Sequence, residues 1–235
     1  MPAKLPTWVG VSGFFLACAG GCMNAFMISS VVHEPSSHLS GTTSAMGLAI
    51  ARGNGSLALH LGLLIASFVA GATLSGMVIK GAHLKLGRRY GFSLLVETIV
   101  VVLVWRIYSL TPRLSQYLIA FACGLQNAMA TTYSGAIIRT THVTGIFTDL
   151  GNILGNFLAG KTIQRRRVLL YFALLGGFLF GALEVGFMLP YIGAGVILLA
   201  ALISGTMALC YFFYWIHQYS LTNLFSAEVY TDRIA

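Results

Sequence analysis

The chain has 235 residues, 57% of them hydrophobic and only 9% charged, with 14 Lys and Arg against 6 Asp and Glu. Soluble domains carry about a quarter charged residues, so this chain cannot build a water-facing shell and a soluble enzyme or binding module is excluded. The basic excess does not point to nucleic acid, because no basic face is interleaved with aromatics; Lys and Arg gather beside apolar segments, where they act as topology signals.

The first apolar run, Thr7 to Val32, is longer than the apolar core of a signal peptide and lacks a cleavage site, so it is expected to remain as a membrane helix. Reading runs of about 20 apolar residues as spans gives six of them, at 8–32, 57–79, 90–110, 116–138, 168–189 and 192–216. Two further segments, 39–52 and 143–160, are helical in composition but shorter and more polar. At about 1.5 Å per residue the first cannot cross about 30 Å of hydrocarbon, and the second is borderline. Both are expected to be half-helices or re-entrant helices. The cysteines Cys18, Cys22, Cys123 and Cys210 all lie in apolar runs and are read as packing residues, not as a disulfide or metal set.

Each short segment follows a polar phrase. "PSSHLSG" (35–41) returns as "RTTHVTG" (139–145), aligning Ser40 with Thr144, His38 with His142 and Gly41 with Gly145. Upstream, "GCMNA" (21–25) matches "GLQNA" (124–128) and pairs Asn24 with Asn127; downstream, "FVAGA" (68–72) resembles "FLFGA" (178–182). Polar residues at near-constant offset mark an internal duplication, with a first repeat over 1–110 and a second over 111–235, together forming one membrane domain. Lys80, Lys85, Arg88 and Arg89 fill one loop, and Lys161, Arg165, Arg166 and Arg167 another. The positive-inside rule asks that both be cytoplasmic. That holds if the short helices do not cross, which leaves three crossings per half, inverts one half relative to the other, and puts both termini in the cytoplasm. The expected fold is therefore all-α and polytopic, with six transmembrane helices and two short ones in an inverted 3+3 repeat.

"GLQNA", "TTHVTG" and "TDLG" (148–151) together resemble the YoaK family of bacterial inner-membrane proteins, a family of unknown function, over nearly the whole chain. The resemblance implies a bacterial inner-membrane location and supplies no substrate. The first half departs from the family pattern, with Asn24 where relatives often have Asp and Ser40-Gly41-Thr42 where they have Thr-Gly-Asn.

A break in a membrane helix leaves backbone groups unpartnered, which is tolerated only inside protein or along a wet cavity. Ser40 and Thr144 are expected to cap the helices that follow, whose N-termini would then offer partial positive charge at mid-membrane. Inverted repeats bring two such ends together, as in many secondary transporters. The expected substrate-binding set is His38, Ser40, Gly41, Thr42, His142, Thr144 and Gly145, with Asn24, Gln126, Asn127 and the cation Arg139. The alternative is architectural: hydroxyls and glycines that pack two hairpins, histidines that bond helix ends, and amides that bridge helices. Glu97, Glu184 and Asp149 break the symmetry of the repeat and suit proton coupling; the alternative is a structural pair with Arg106 or Arg139. "GNILG" (151–155) and "GFLFG" (177–181) have the spacing of close helix approach, within the protomer or in a homo-oligomer. No P-loop, dinucleotide fingerprint, HExxH or nucleophile elbow is present, so neither enzyme activity nor a cofactor or metal is expected. The reading is a transporter or channel-like facilitator for a small polar solute, with anions favoured by the helix ends, Arg139 and the histidines. The competing reading is a membrane scaffold, sensor or partner-binding subunit.

Overall fold

The computed structural model describes residues 7–29, 38–79, 88–134 and 139–231. Among them the chain is helical, without strands: α1 (Thr7–Ser29), α2 (Leu39–Ala51), α3 (Gly55–Val78), α4 (Arg88–Ile107), α5 (Pro112–Ser134), α6 (Val143–Leu158), α7 (Arg165–Ile192) and α8 (Leu198–Thr231), with a 3-10 turn, Gly193–Ile197, before the last. The six long helices coincide with the six apolar runs, and the two short ones, of 13 and 16 residues, with the two polar segments.

Four stretches are long and apolar enough to cross a membrane: Val9–Ser29, Gly55–Val78, Arg89–Ile107 and Arg165–His217, the last of which runs through α7 and into α8. Helix α5 matches them in length but carries Ser115, Gln116, Gln126 and Asn127. The first three are fully buried, so its polar groups face other helices.

Local chemistry sets several boundaries. Asn54 caps α3 by accepting from the Leu57 N–H at 3.1 Å, and Gly53 turns the chain just before it at φ 69°. Gly193, at φ 55°, ends α7 where hydropathy alone begins the sixth span, so that span starts at Leu198 instead. Helix α8 then continues past the expected end at 216 to Thr231, because no Gly or Pro follows to stop it. The far ends expected for the first and fourth spans, and most of the 80–89 loop, lie outside the described residues.

The long helices pair across the two halves, α1 with α7 and α3 with α5. Both pairs are parallel. Gly13 meets Leu170 and Leu174, and Gly181 meets Cys18 and Cys22. In the other pair His60 bonds Tyr117 at 2.7 Å, while Gly71 meets Phe121 and Leu125. The contacts obey the duplication. A Cβ on Gly21 would collide with the Phe178 carbonyl, and one on Gly124 with that of Phe68; likewise Gly181 abuts Cys18 and Gly71 abuts Phe121. Each contact maps onto its counterpart when α1 is shifted onto α5 by 103 positions and α3 onto α7 by 110.

Helix α1 runs antiparallel to α5. Val9 and Leu16 share a core cluster with Met129 and Ala130, whereas Phe26 and Met27 share the other with Ile119. Helices α4 and α8 are also antiparallel: Tyr90 stacks on Tyr211 with ring centroids 6.1 Å apart, Thr98 donates to Ser204 at 3.1 Å, and Val101 clusters with Ala200. The core thus has two large clusters, one toward each end of the bundle, and a smaller one of Leu61, Leu64 and Ala120 between α3 and α5.

Candidate functional site

The second phrase is built into the middle of the bundle by α5. Thr140 and Thr141 are 1% and 5% exposed. Thr140 donates to Gln126 Oε1 at 3.1 Å, and the Thr141 N–H donates to Asn127 Oδ1 at 3.2 Å. Asn127 Nδ2 returns a bond to Thr141 Oγ1 at 2.7 Å, and Gln126 Nε2 donates to the Leu16 carbonyl of α1 at 2.9 Å. A Cβ on Gly20 of α1 would meet the Thr141 methyl at 2.9 Å. Chain re-entry, the α5 amides and the centre of α1 therefore form one knot, and the Gly-Leu-Gln-Asn sequence ties it.

In the first half Asn24 plays the part of Asn127. Its Nδ2 lies 3.4 Å from His38 Nε2, and the His38 ring packs on Phe178 at 6.4 Å. Both asparagines reach 14 residues ahead. Gly20 and Asn24, one turn apart on α1, thus touch the second and the first phrase respectively. The residues of the first phrase before His38 lie outside the described set.

The helix caps differ from expectation. His38 and His142 occupy the N-cap positions, neither side chain caps, and Ser40 and Thr144 sit inside the first turn, exposed. Hydroxyls further along the helices bond backward: Thr42 to the His38 carbonyl at 3.3 Å and Ser44 to the Ser40 carbonyl at 3.0 Å. Thr148 bonds Thr144 in the same way, at 3.0 Å. Such i−4 bonds compete successfully with capping once the residue is within the helix. Gly41 has open space where a Cβ would stand, whereas Gly145 lies beneath the His142 ring, which folds over its own helix. His142 and Arg139 are exposed. The structure thus gathers Asn24, His38, Gln126 and Asn127, adds Thr140 and Thr141, and leaves Ser40, His142, Thr144 and Arg139 outside the knot.

The three acids separate cleanly. Asp149 on α6 accepts from Tyr171 in a short bond and pairs with Arg167 at 3.4 Å, both on α7. This is a structural clasp between α6 and α7, and its cation is Arg167, not the Arg106 or Arg139 that the sequence suggests. Glu184 on α7 accepts from the Cys18 thiol at 3.5 Å. Glu97 is different: it lies halfway along α4, is 1% exposed, and neither oxygen has a hydrogen-bond partner among the described residues. Cys123 of α5 is within electrostatic reach of it. An isolated carboxylate is not tolerated in so apolar a setting, so the group holds a proton or meets a cation.

Among the described residues these features define an all-helical membrane protein with repeated helix packing, two short helices and an orphan buried acid. The chain belongs to the DUF1275 family of proteins of unknown function, which it matches over residues 12–210, and the YoaK resemblance falls within that family. No curated protein and no solved structure matches it.

Proposed function

We propose that the protein is a secondary transporter or channel-like facilitator of a small polar or anionic solute across the bacterial inner membrane, built as an inverted 3+3 repeat with both termini cytoplasmic. The observation that carries this reading is Glu97. Intramembrane acids are costly and are retained where they move charge, and a scaffold has no use for an acid buried at mid-helix with no partner among the described residues. The antiparallel run of α1 and α5 supports inversion, since these helices correspond in the duplication. The solute binds at the two short-helix starts, beside Asn24 and His38 in the first half and Asn127 in the second. The bilayer is the standing partner, homo-oligomerisation is compatible with the exposed "GNILG" stripe, and no enzymatic step, cofactor or nucleic acid enters the reading.

A thermal-shift screen over small anions, nucleobases and amino acids finds the solute. Uptake in proteoliposomes with and without an imposed pH gradient then reads coupling. Glu97→Gln should abolish accumulation against a gradient and keep downhill exchange; wild-type accumulation by that variant removes Glu97 from the mechanism. The second reading, a scaffold or sensor, is favoured by one observation: Thr140 and Thr141 are buried and bonded within the protein. It becomes the better reading if no compound shifts the melting point and no uptake is detected.

A further inference from the structure

We propose that the coupling ion passes between α1, α4, α5 and α8, from a small vestibule toward the cytoplasmic end to the equivalent positions at the other end, which open in turn, with Glu97 between them as the binding group. This rests on the transport reading. The structure contains a cavity of about 20 Å³ whose lining includes Ser12, Leu16, Tyr90, Met129, Ala130 and Tyr211, room for about one water molecule. These residues lie in the first half of α1, at the start of α4, toward the end of α5 and near the middle of α8, on the side of the bundle that the Lys/Arg loops assign to the cytoplasm.

The duplication specifies a counterpart. The 110-position shift that relates α3 to α7 also sets Trp105 on Trp215, and so relates α4 to α8. With the 103-position shift between α1 and α5, Leu16 corresponds to Ile119, Met129 to Phe26 and Ala130 to Met27; Tyr90 corresponds to Ala200 and Tyr211 to Val101. These five counterparts form part of one core cluster and are at most 1% exposed. Ser12, on the cavity wall, corresponds to Ser115, which is 0% exposed. The cavity lies toward one end of this seam, and the equivalent positions toward the other end pack in the second core cluster.

Glu97 lies between them. Tyr90, Leu94, Glu97 and Val101 share one buried face of α4, with Glu97 about 10 Å along the axis from Tyr90 and about 6 Å from Val101. Among the described residues Glu97 is the only buried carboxylate, and no Lys or Arg is buried near it. The ion that fits is positive, a proton or a small inorganic cation, and it would neutralise the carboxylate that the site otherwise cannot hold. Passage outward requires Phe26 and Met27 to part from Val101 and Ala200, which moves α1 against α4 and α8.

Accessibility tests the seam without reference to any solute. In a background with all four cysteines replaced by Ala, Ser12→Cys and Ser115→Cys are each treated with a membrane-impermeant maleimide, in right-side-out spheroplasts and in inside-out vesicles. Where that background fails to fold, Cys210→Ser alone serves, since the other cysteines are buried, with the unsubstituted background as blank. The expected result is labelling at 12 from the cytoplasmic side only and at 115 from the outside only, with Phe26→Ala raising the rate at 115 at least ten-fold. Proteoliposomes with an entrapped pH dye or sodium dye, under the corresponding ion gradient, distinguish proton from inorganic cation, and Glu97→Gln should remove the flux. Protection of position 115 from outside, with and without Phe26→Ala, while ion flux persists overturns the seam and leaves transport standing. Labelling at both positions with no flux of either ion overturns the transport reading and the coupling ion with it.

Discussion

Thr141 and Thr144 stand three residues apart in one phrase and have opposite surroundings. Thr141 is 5% exposed and holds the Asn127 amide at 2.7 Å, whereas Thr144 is exposed. Thr141→Val keeps the volume and removes one of the two bonds made by Asn127 Nδ2, the other going to the Cys123 carbonyl at 2.9 Å; losing one such hydrogen bond costs about 1 kcal/mol, whereas Thr144→Val should stay within about 0.5 kcal/mol, as exposed substitutions do. Thermal unfolding of the two variants in detergent checks this, with a lower midpoint expected for Thr141→Val alone. Equal losses would show that the knot with Asn127 does not hold the second phrase. Sequence alone favours His142 and Thr144 because their types repeat. Repetition locates a break in the chain, but which residues of the phrase turn inward depends on how the chain re-enters the bundle, and periodicity carries no information about that path. The amides are legible for a firmer reason: Asn24, Gln126 and Asn127 sit inside apolar runs, where an amide must find a partner.

Among the elements, hydropathy and length are enough to find the six long helices and the two short ones, since a run either can or cannot cover the hydrocarbon. Element ends are less legible. Gly193 stops α7 through its backbone angle, and α8 runs on into polar sequence that hydropathy excludes. The glycine motifs mark the same limit. "GNILG" and "GFLFG" have one spacing, yet Gly151 and Gly155 have open space where a Cβ would stand, while Gly177 and Gly181 lie against the α1 backbone. Spacing says that two helices can approach closely; only the fold says which do. Gly71→Ala and Gly181→Ala should each destabilise the protein by about 1–3 kcal/mol or more through overpacking against backbone, and to similar extents, because they occupy equivalent crossings. Gly151→Ala should be neutral or slightly stabilising, as Ala is the better helix former by about 1 kcal/mol. Melting midpoints of the three variants read this directly; a loss at Gly151 matching those at the crossings would mean that α6 packs against something beyond the protomer.

At the scale of the whole molecule, the proposed topology draws on two lines, loop charge and relative helix direction. The charge pattern assigns the loop around Lys161–Arg167 to the cytoplasm together with the 80–89 loop. The helix contacts impose a direction on each element: α1 parallel to α7, α3 parallel to α5, α1 antiparallel to α5, and α4 antiparallel to α8. If α7 leaves the cytoplasm at Arg165, α1 leaves it too, so α5 and α3 must enter it and α3 delivers the chain to the basic 80–89 loop. Helix α4 departs from that loop and α8 returns antiparallel to it. No element is left over. Thr141, two residues before α6, lies beside Gly20 in the middle of α1, so in the proposed topology α6 reaches Lys161 without adding a seventh passage. Single cysteines at Lys161, Gly53, Leu110 and Tyr191 test the whole arrangement. Lys161 and Leu110 are exposed, Leu110 at 80% and Tyr191 at 87%, so an impermeant thiol reagent should reach each from whichever side it faces. The expected pattern is labelling from outside at Gly53, Leu110 and Tyr191 and from the cytoplasm alone at Lys161. External labelling at Lys161 with internal labelling at Leu110 would turn the molecule over and move the vestibule beside Tyr90 to the outer face. Labelling of Gly53 and Leu110 from opposite sides would break the parallel pairing of α3 with α5, and with it the inverted repeat.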